Sequence, residues 1–96
     1  MSPNNLKKLI KLRKNLDILD NSFINLIKKR TDLVKKVLKL KEYKNQIVDR
    51  KRIKTILIQI KKKSIKKKID PKITNKIWKN MIYAYIDYEK RNFRKK

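Results

Sequence analysis

The chain has 96 residues, 31 Lys+Arg against 8 Asp+Glu and a formal charge of +23, with no Cys, His or Gly. One small domain, 1–96, is therefore the expectation. Disulfides, thiolate metal sites, imidazole general bases and glycine-rich phosphate loops are all excluded, leaving Arg, Lys, carboxylates and amides to carry any chemistry.

A charge of this size reads as attraction to nucleic acid or another anionic surface. A strongly AT-biased genome yields the same composition, because Lys, Ile and Asn are encoded by codons rich in A and T. No run is apolar for long enough to cross a bilayer; Ile56-Leu57-Ile58 is interrupted by Gln59. The first residues lack the apolar core of a signal peptide, so the expected location is the cytoplasm.

Ser2-Pro3 has the order of a helix N-cap followed by proline in the first turn, and no breaker follows until about Tyr43. Apolar residues recur with 3,4 spacing at Leu9, Leu12, Leu16, Leu19, Phe23, Leu26, Leu33, Val37 and Leu40, interrupted by Arg30. That is a coiled-coil-like seam. A helix of nearly forty residues is about 60 Å long, more than the remaining chain covers, so a second copy of the chain is the economical partner.

Lys44-Asn45-Gln46 reads as a turn, with Asn45 the residue best suited to positive φ in a chain without glycine. A second helix starts near the candidate N-cap Asp49 and carries Ile53, Ile56, Leu57 and Ile60 on one face. It is expected to fray through the basic run 61–68, which reads as a solvated face and is also the best nucleic-acid candidate. Asp70-Pro71 restarts a helix whose apolar stripe runs Trp78, Met81, Ile82 and Tyr85. The pattern is all-α, with three helices per chain and neither strand alternation nor internal repeat.

Six arginines stand in a chain that otherwise chooses lysine: Arg13, Arg30, Arg50, Arg52, Arg91 and Arg94. The guanidinium fork grips a carboxylate bidentately, which an ammonium does not. Arg30 on the seam needs an anion, either a ligand or an acid of a partner helix that fixes register. Lys41 lies eleven residues on, on nearly the same face. Arg13 precedes Arg30 by seventeen residues, roughly 25 Å along a straight helix, so one small ligand reaches both only across an antiparallel or swapped dimer. The plainer reading of Arg13 is an exposed pair with Asp17, one turn on. Glu89 continues the apolar stripe of the third helix, where burial favours the protonated acid; the ordinary alternative is that it turns to solvent or pairs with a lysine.

Taken together, Leu12-Arg13-Lys14-Asn15-Leu16-Asp17-Ile18-Leu19-Asp20, Leu26-Ile27-Lys28-Lys29-Arg30, Val37 to Lys41, Val48-Asp49-Arg50-Lys51-Arg52, Asp70-Pro71 and Ile82 to Glu89 resemble the all-helical chorismate mutase family over essentially the whole chain. The helix-two segment looks like the family's V-x-D-x-x-R with one residue deleted. The resemblance implies an intertwined, helix-swapped homodimer with two active sites, and rearrangement of chorismate to prephenate on the route to phenylalanine and tyrosine, without cofactor or metal.

It also implies roles. Lys41 and Glu89 would be the catalytic donors to the ether oxygen. Arg30 and Arg52, with Arg13 from the other chain, would bind substrate together with Asp49 and Tyr85; Arg13 and Arg30 would clamp its two carboxylates. Two departures stand out: Glu89 where many bacterial members have Gln, and Ile53 where many have Glu. Ile53 and the aromatic-rich segment Tyr83 to Ile86 are also similar to isochorismate pyruvate-lyases, which makes that activity the alternative. A basic helical nucleic-acid-binding protein is the reading from another class. It gives no reason for Arg30 on the seam, and nucleic acid is otherwise expected to bind at most non-specifically.

Overall fold

A computed structural model describes residues 1–94. It is all-helical: α1 spans Pro3–Leu40, a 3-10 turn Lys44–Gln46, α2 Arg50–Lys66 and α3 Pro71–Asn92. The chain divides into two compact units, one of residues Met1–Leu33 and one that begins at Val34.

The first unit is helix alone. Ser2 Oγ accepts from the backbone N–H of Asn5 at 3.1 Å, the N-cap bond that the sequence leads one to expect. Farther along, Lys28 and Asp32 form an exposed i,i+4 pair at 2.8 Å, worth a few tenths of a kcal/mol. No residue of α1 is buried. Leu12, Leu16, Leu19, Phe23, Leu26, Leu33, Val37 and Leu40 are each between 48% and 80% exposed, while Leu9 is half-buried. The seam is present on the helix, and a single chain leaves most of it open to water.

In the second unit α2 and α3 pack on one another. Ile53, Ile56, Leu57 and Ile60 are half-buried on α2, as are Trp78, Met81 and Tyr85 on α3, where Ile82 is buried. Near the junction Ser64 Oγ donates to the Ile60 carbonyl at 2.6 Å and stands 2.6 Å from Thr74 Oγ1. Ser64 is buried, so this hydroxyl pair satisfies polar atoms that would otherwise carry a desolvation cost.

Two local expectations are corrected. Asn45 does not take positive φ: among the described residues Lys68 alone does, at 59°. The reversal after α1 needs no left-handed residue, because Gln46 Oε1 accepts from the backbone N–H groups of Glu42 and Tyr43 at 2.8 and 2.9 Å and closes the turn from outside. The basic run does not fray either, since α2 stays helical to Lys66. Lysines in its last turn offset the negative end of the helix dipole, and Ser64 ties that turn to Thr74.

The end of α2 is a Schellman motif. Ile69 N–H reaches the Ser64 carbonyl at 2.9 Å and Lys68 N–H the Ile65 carbonyl at 3.1 Å, which puts Lys68 in the left-handed C′ position. Asp70 then caps α3, its Oδ1 accepting from Lys72 N–H at 2.9 Å, with Pro71 in the first turn. A side chain at a left-handed position costs about 1–2 kcal/mol, part of which glycine returns as unfolded-state entropy. Lys68→Gly is therefore expected to stabilise the chain by about 0.5–1 kcal/mol, read as a higher urea midpoint at unchanged slope. A lower midpoint would mean that the lysine side chain stabilises the corner by more than its backbone strain costs.

Candidate active site

Immediately after α1, Lys41 enters the second unit half-buried. Its Nζ lies 3.2 Å from Glu89 Oε1 and 3.4 Å from the Ile47 carbonyl. Glu89, on the last turns of α3, is only 5% exposed. Ile47, whose carbonyl is the second acceptor, is 3% exposed and is one of two buried apolar residues among those described, the other being Ile82. The acid on the apolar stripe of α3 is thus matched by a cation 48 residues earlier in the chain. Glu89 does not turn to solvent; of the readings of this residue, lysine pairing is the one observed.

Lys41 also lines a recess of about 570 Å³ together with Val37, Gln46, Val48, Asp49 and Arg50. Asp49 borders it as the N-cap of α2, with Oδ1 accepting from the Arg52 backbone N–H at 2.9 Å. That bond uses the backbone of Arg52. The Arg52 side chain is exposed and does not line the recess, whereas Arg50 does. Arg50 is a residue for which sequence reasoning had no assignment; its place beside the Asp49 cap was the available signal. Tyr85 is half-buried one turn before Glu89.

The structure thus joins Lys41 to Glu89 by an ion pair and to Asp49 by a shared recess. Arg13 and Arg30 belong to the first unit, where Arg13 is exposed and Arg30 half-buried. Seventeen residues of continuous helix keep them roughly 25 Å apart. A larger groove of about 740 Å³ runs over α2 and α3, with Ile53, Leu57 and Tyr83 among its apolar lining and Arg50, Lys54 and Lys72 among its cations. None of Lys41, Glu89, Asp49 or Tyr85 lines it.

A family model for chorismate mutase type II matches residues 12–90, most of the chain. The chain belongs to that family. The matched span covers Arg13, Arg30, Lys41, Asp49, Arg52, Tyr85 and Glu89. No curated protein and no solved structure matches the chain.

Removing one partner of a buried ion pair leaves the other charge without compensation. Because the Lys41 side chain retains 19% of its exposure and that of Glu89 7%, Lys41→Met is expected to cost about 2–3 kcal/mol, toward the lower end of the range for buried pairs. Glu89→Gln keeps an acceptor for Lys41 and is expected to cost about 1 kcal/mol. Urea melts at one protein concentration compare the two; equal losses would show that the ion pair contributes nothing beyond the hydrogen bond.

Proposed function

We propose that the chain is a chorismate mutase, rearranging chorismate to prephenate as a homodimer in which each active site draws on both copies. The observation that carries this reading is the Lys41–Glu89 pair, a donor beside a buried carboxyl group at 3.2 Å at the edge of a recess that Asp49 also borders. The reaction is intramolecular. The ether C–O bond breaks as a new C–C bond forms in one cyclic movement of six electrons, with no net proton transfer and no external nucleophile. An enzyme for it has two tasks: to hold the compact, reactive conformer, and to meet the negative charge that grows on the ether oxygen.

The residues divide between those tasks. Lys41 donates a hydrogen bond to the ether oxygen, and Glu89 donates a second one when it carries a proton. Arg30 and the partner subunit's Arg13 each clamp one substrate carboxylate through a bidentate fork. Asp49, whose Oδ1 is engaged by Arg52 N–H, offers its other oxygen to the substrate hydroxyl, with Arg52 and Tyr85 completing the wall. A dianionic substrate suits a chain of charge +23.

The dimer is supported by what one chain leaves uncovered. Eight large apolar side chains of the α1 seam are about half exposed or more, and covering them is worth on the order of 10 kcal/mol at about 1 kcal/mol each. That is comparable to the whole stability of a small domain. Seating α1 of one copy against another also resolves the 25 Å gap between Arg13 and Arg30, because an antiparallel partner brings its Arg13 toward the first copy's Arg30.

Two experiments test this reading. Loss of chorismate absorbance, with product identified, is expected to show prephenate formation. Glu89→Gln, whose amide is a hydrogen-bond donor, should keep its activity; loss of activity in this variant would remove Glu89 from the role. Release of pyruvate from isochorismate, without prephenate from chorismate, would replace the mutase reading with the lyase.

The shared site has its own test. Arg13→Ala and Lys41→Met are each expected to be nearly inactive as homodimers, since one missing donor costs about 10²–10³ in kcat. When the two are unfolded together and refolded, half the dimers are mixed, and each mixed dimer has one intact site. Activity should return to about a quarter of wild type. No recovery, with mixed dimers present by mass spectrometry, would mean that each site is built from one chain.

A further inference from the structure

The corner between α2 and α3 keeps positive charge where charge costs stability, in three separate ways. Residues 61–79 hold nine lysines and a single acid, Asp70, whose Oδ1 is engaged by the Lys72 backbone N–H at 2.9 Å. One or two cations suffice to offset the dipole at the end of α2; the run 61–68 carries six, all exposed. Like charges one helical turn apart repel, and the corner has such pairs in Lys62–Lys66, Lys63–Lys67 and Lys72–Lys76. Lys68, finally, takes the left-handed position at φ 59°. Asparagine tolerates that conformation better, and a bias toward A and T supplies asparagine as readily as lysine. Composition therefore does not account for the lysine there.

The same corner exposes apolar side chains. Ile65, Ile69 and Ile73 are 59%, 43% and 56% exposed; they lie in the last turn of α2, directly after Lys68, and in the first turn of α3. Backbone hydrogen bonds hold all three within one reversal of the chain: Lys68 N–H to the Ile65 carbonyl at 3.1 Å, Ile69 N–H to Ser64 at 2.9 Å and Ile73 N–H to Asp70 at 3.0 Å. Isoleucines flanked by lysines suit a bilayer surface, where ammonium groups meet headgroup phosphates and aliphatic tips reach the acyl boundary. Nucleic acid has a use for the lysines alone. A second copy of the chain, itself of charge +23, is repelled from the corner.

We propose that this corner docks, tip first, on the surface of an anionic phospholipid bilayer. The lysines of 61–68 and Lys72 lie over the headgroups, and Ile65, Ile69 and Ile73 enter between them. Contact is peripheral: among the described residues no helix is long and apolar enough to cross a membrane. None of the proposed catalytic or substrate-binding residues belongs to the corner, so the docking stands apart from the mutase reading.

The full-length protein is sedimented with vesicles of phosphatidylcholine alone, or with about one-third phosphatidylserine, at about 0.1 M salt. Binding to the anionic vesicles alone is expected. Lys62→Gln/Lys66→Gln/Lys67→Gln should weaken it about a hundredfold, at roughly fivefold per lysine near the surface. Lys7→Gln/Lys8→Gln/Lys11→Gln on α1 makes the same change in net charge and should weaken it less than about fivefold, because those charges stand farther from the lipid. Ile65→Gln/Ile69→Gln should weaken it about tenfold while leaving affinity for a short DNA duplex unchanged. Lys68→Asn should raise the urea midpoint and lower vesicle affinity together, opposite effects that a purely structural residue does not produce. All the substituted side chains are exposed, and far-UV circular dichroism checks that each variant is folded.

Equal binding to both kinds of vesicle, or to neither, would overturn the proposal. Equal losses in the two lysine triples would do so as well, by assigning the binding to net charge instead of the corner. Unchanged vesicle binding in the isoleucine variant would remove the lipid, and a DNA duplex bound more tightly than the vesicles would put nucleic acid in its place.

Discussion

Lys41 and Glu89 meet at 3.2 Å from positions 48 residues apart. A carboxyl group 5% exposed on an apolar helix face is tolerated only if a cation or a proton accompanies it. Lys41 answers that need from the residue after α1, and its second contact, to the Ile47 carbonyl, ties the 3-10 turn to the same point. The end of α1, the turn and the end of α3 thus converge on one ammonium. Asp49 follows Ile47 by two residues, so the cap of α2 is brought to the same recess. Polar groups that would destabilise an ordinary core become, through each other, the frame of the candidate site.

The requirement that makes this arrangement stable also suits it to the proposed chemistry. An ammonium held by fixed acceptors does not have to reorganise when charge develops nearby, which is the condition under which a hydrogen-bond donor lowers a barrier. The α1 seam imposes the complementary requirement. Among the described residues only Ile47 and Ile82 are buried apolar ones, so one chain has little core of its own, and the proposed second copy would supply both the missing core and the missing arginine. On this reading assembly and activity rest on the same residues of α1, and the spacing of Arg13 and Arg30 on that helix is set by where two chains cross.

Charge alone is a poor guide within this chain. Lysines crowd the end of α2 without breaking the helix, because they oppose its dipole and because Ser64 holds the last turn to Thr74. Of the six arginines, Arg50 shares the Lys41 recess and Arg94 lines a recess at the end of α3, while Arg91 pairs with Asp87 on the surface. What separates these roles is the element on which each arginine is carried and the face it occupies, which a count of charges does not register.

Local rules were enough for the elements. The Ser2, Asp49 and Asp70 caps, the proline after Asp70, and the apolar stripes of α2 and α3 are short-range features, and all are found where the sequence leads one to expect them. So is the seam of α1, whose 3,4 spacing is a property of the helix itself. Tertiary structure decided the rest. The left-handed residue is Lys68 rather than Asn45, because the Gln46 side chain closes one turn and the Schellman geometry strains the other. Glu89 is paired rather than alone, and Arg50 rather than Arg52 lines the recess. Each of these depends on groups brought together across a turn or across many residues of chain, and a pattern read along one strand of sequence carries no information about which distant partner will satisfy a buried charge.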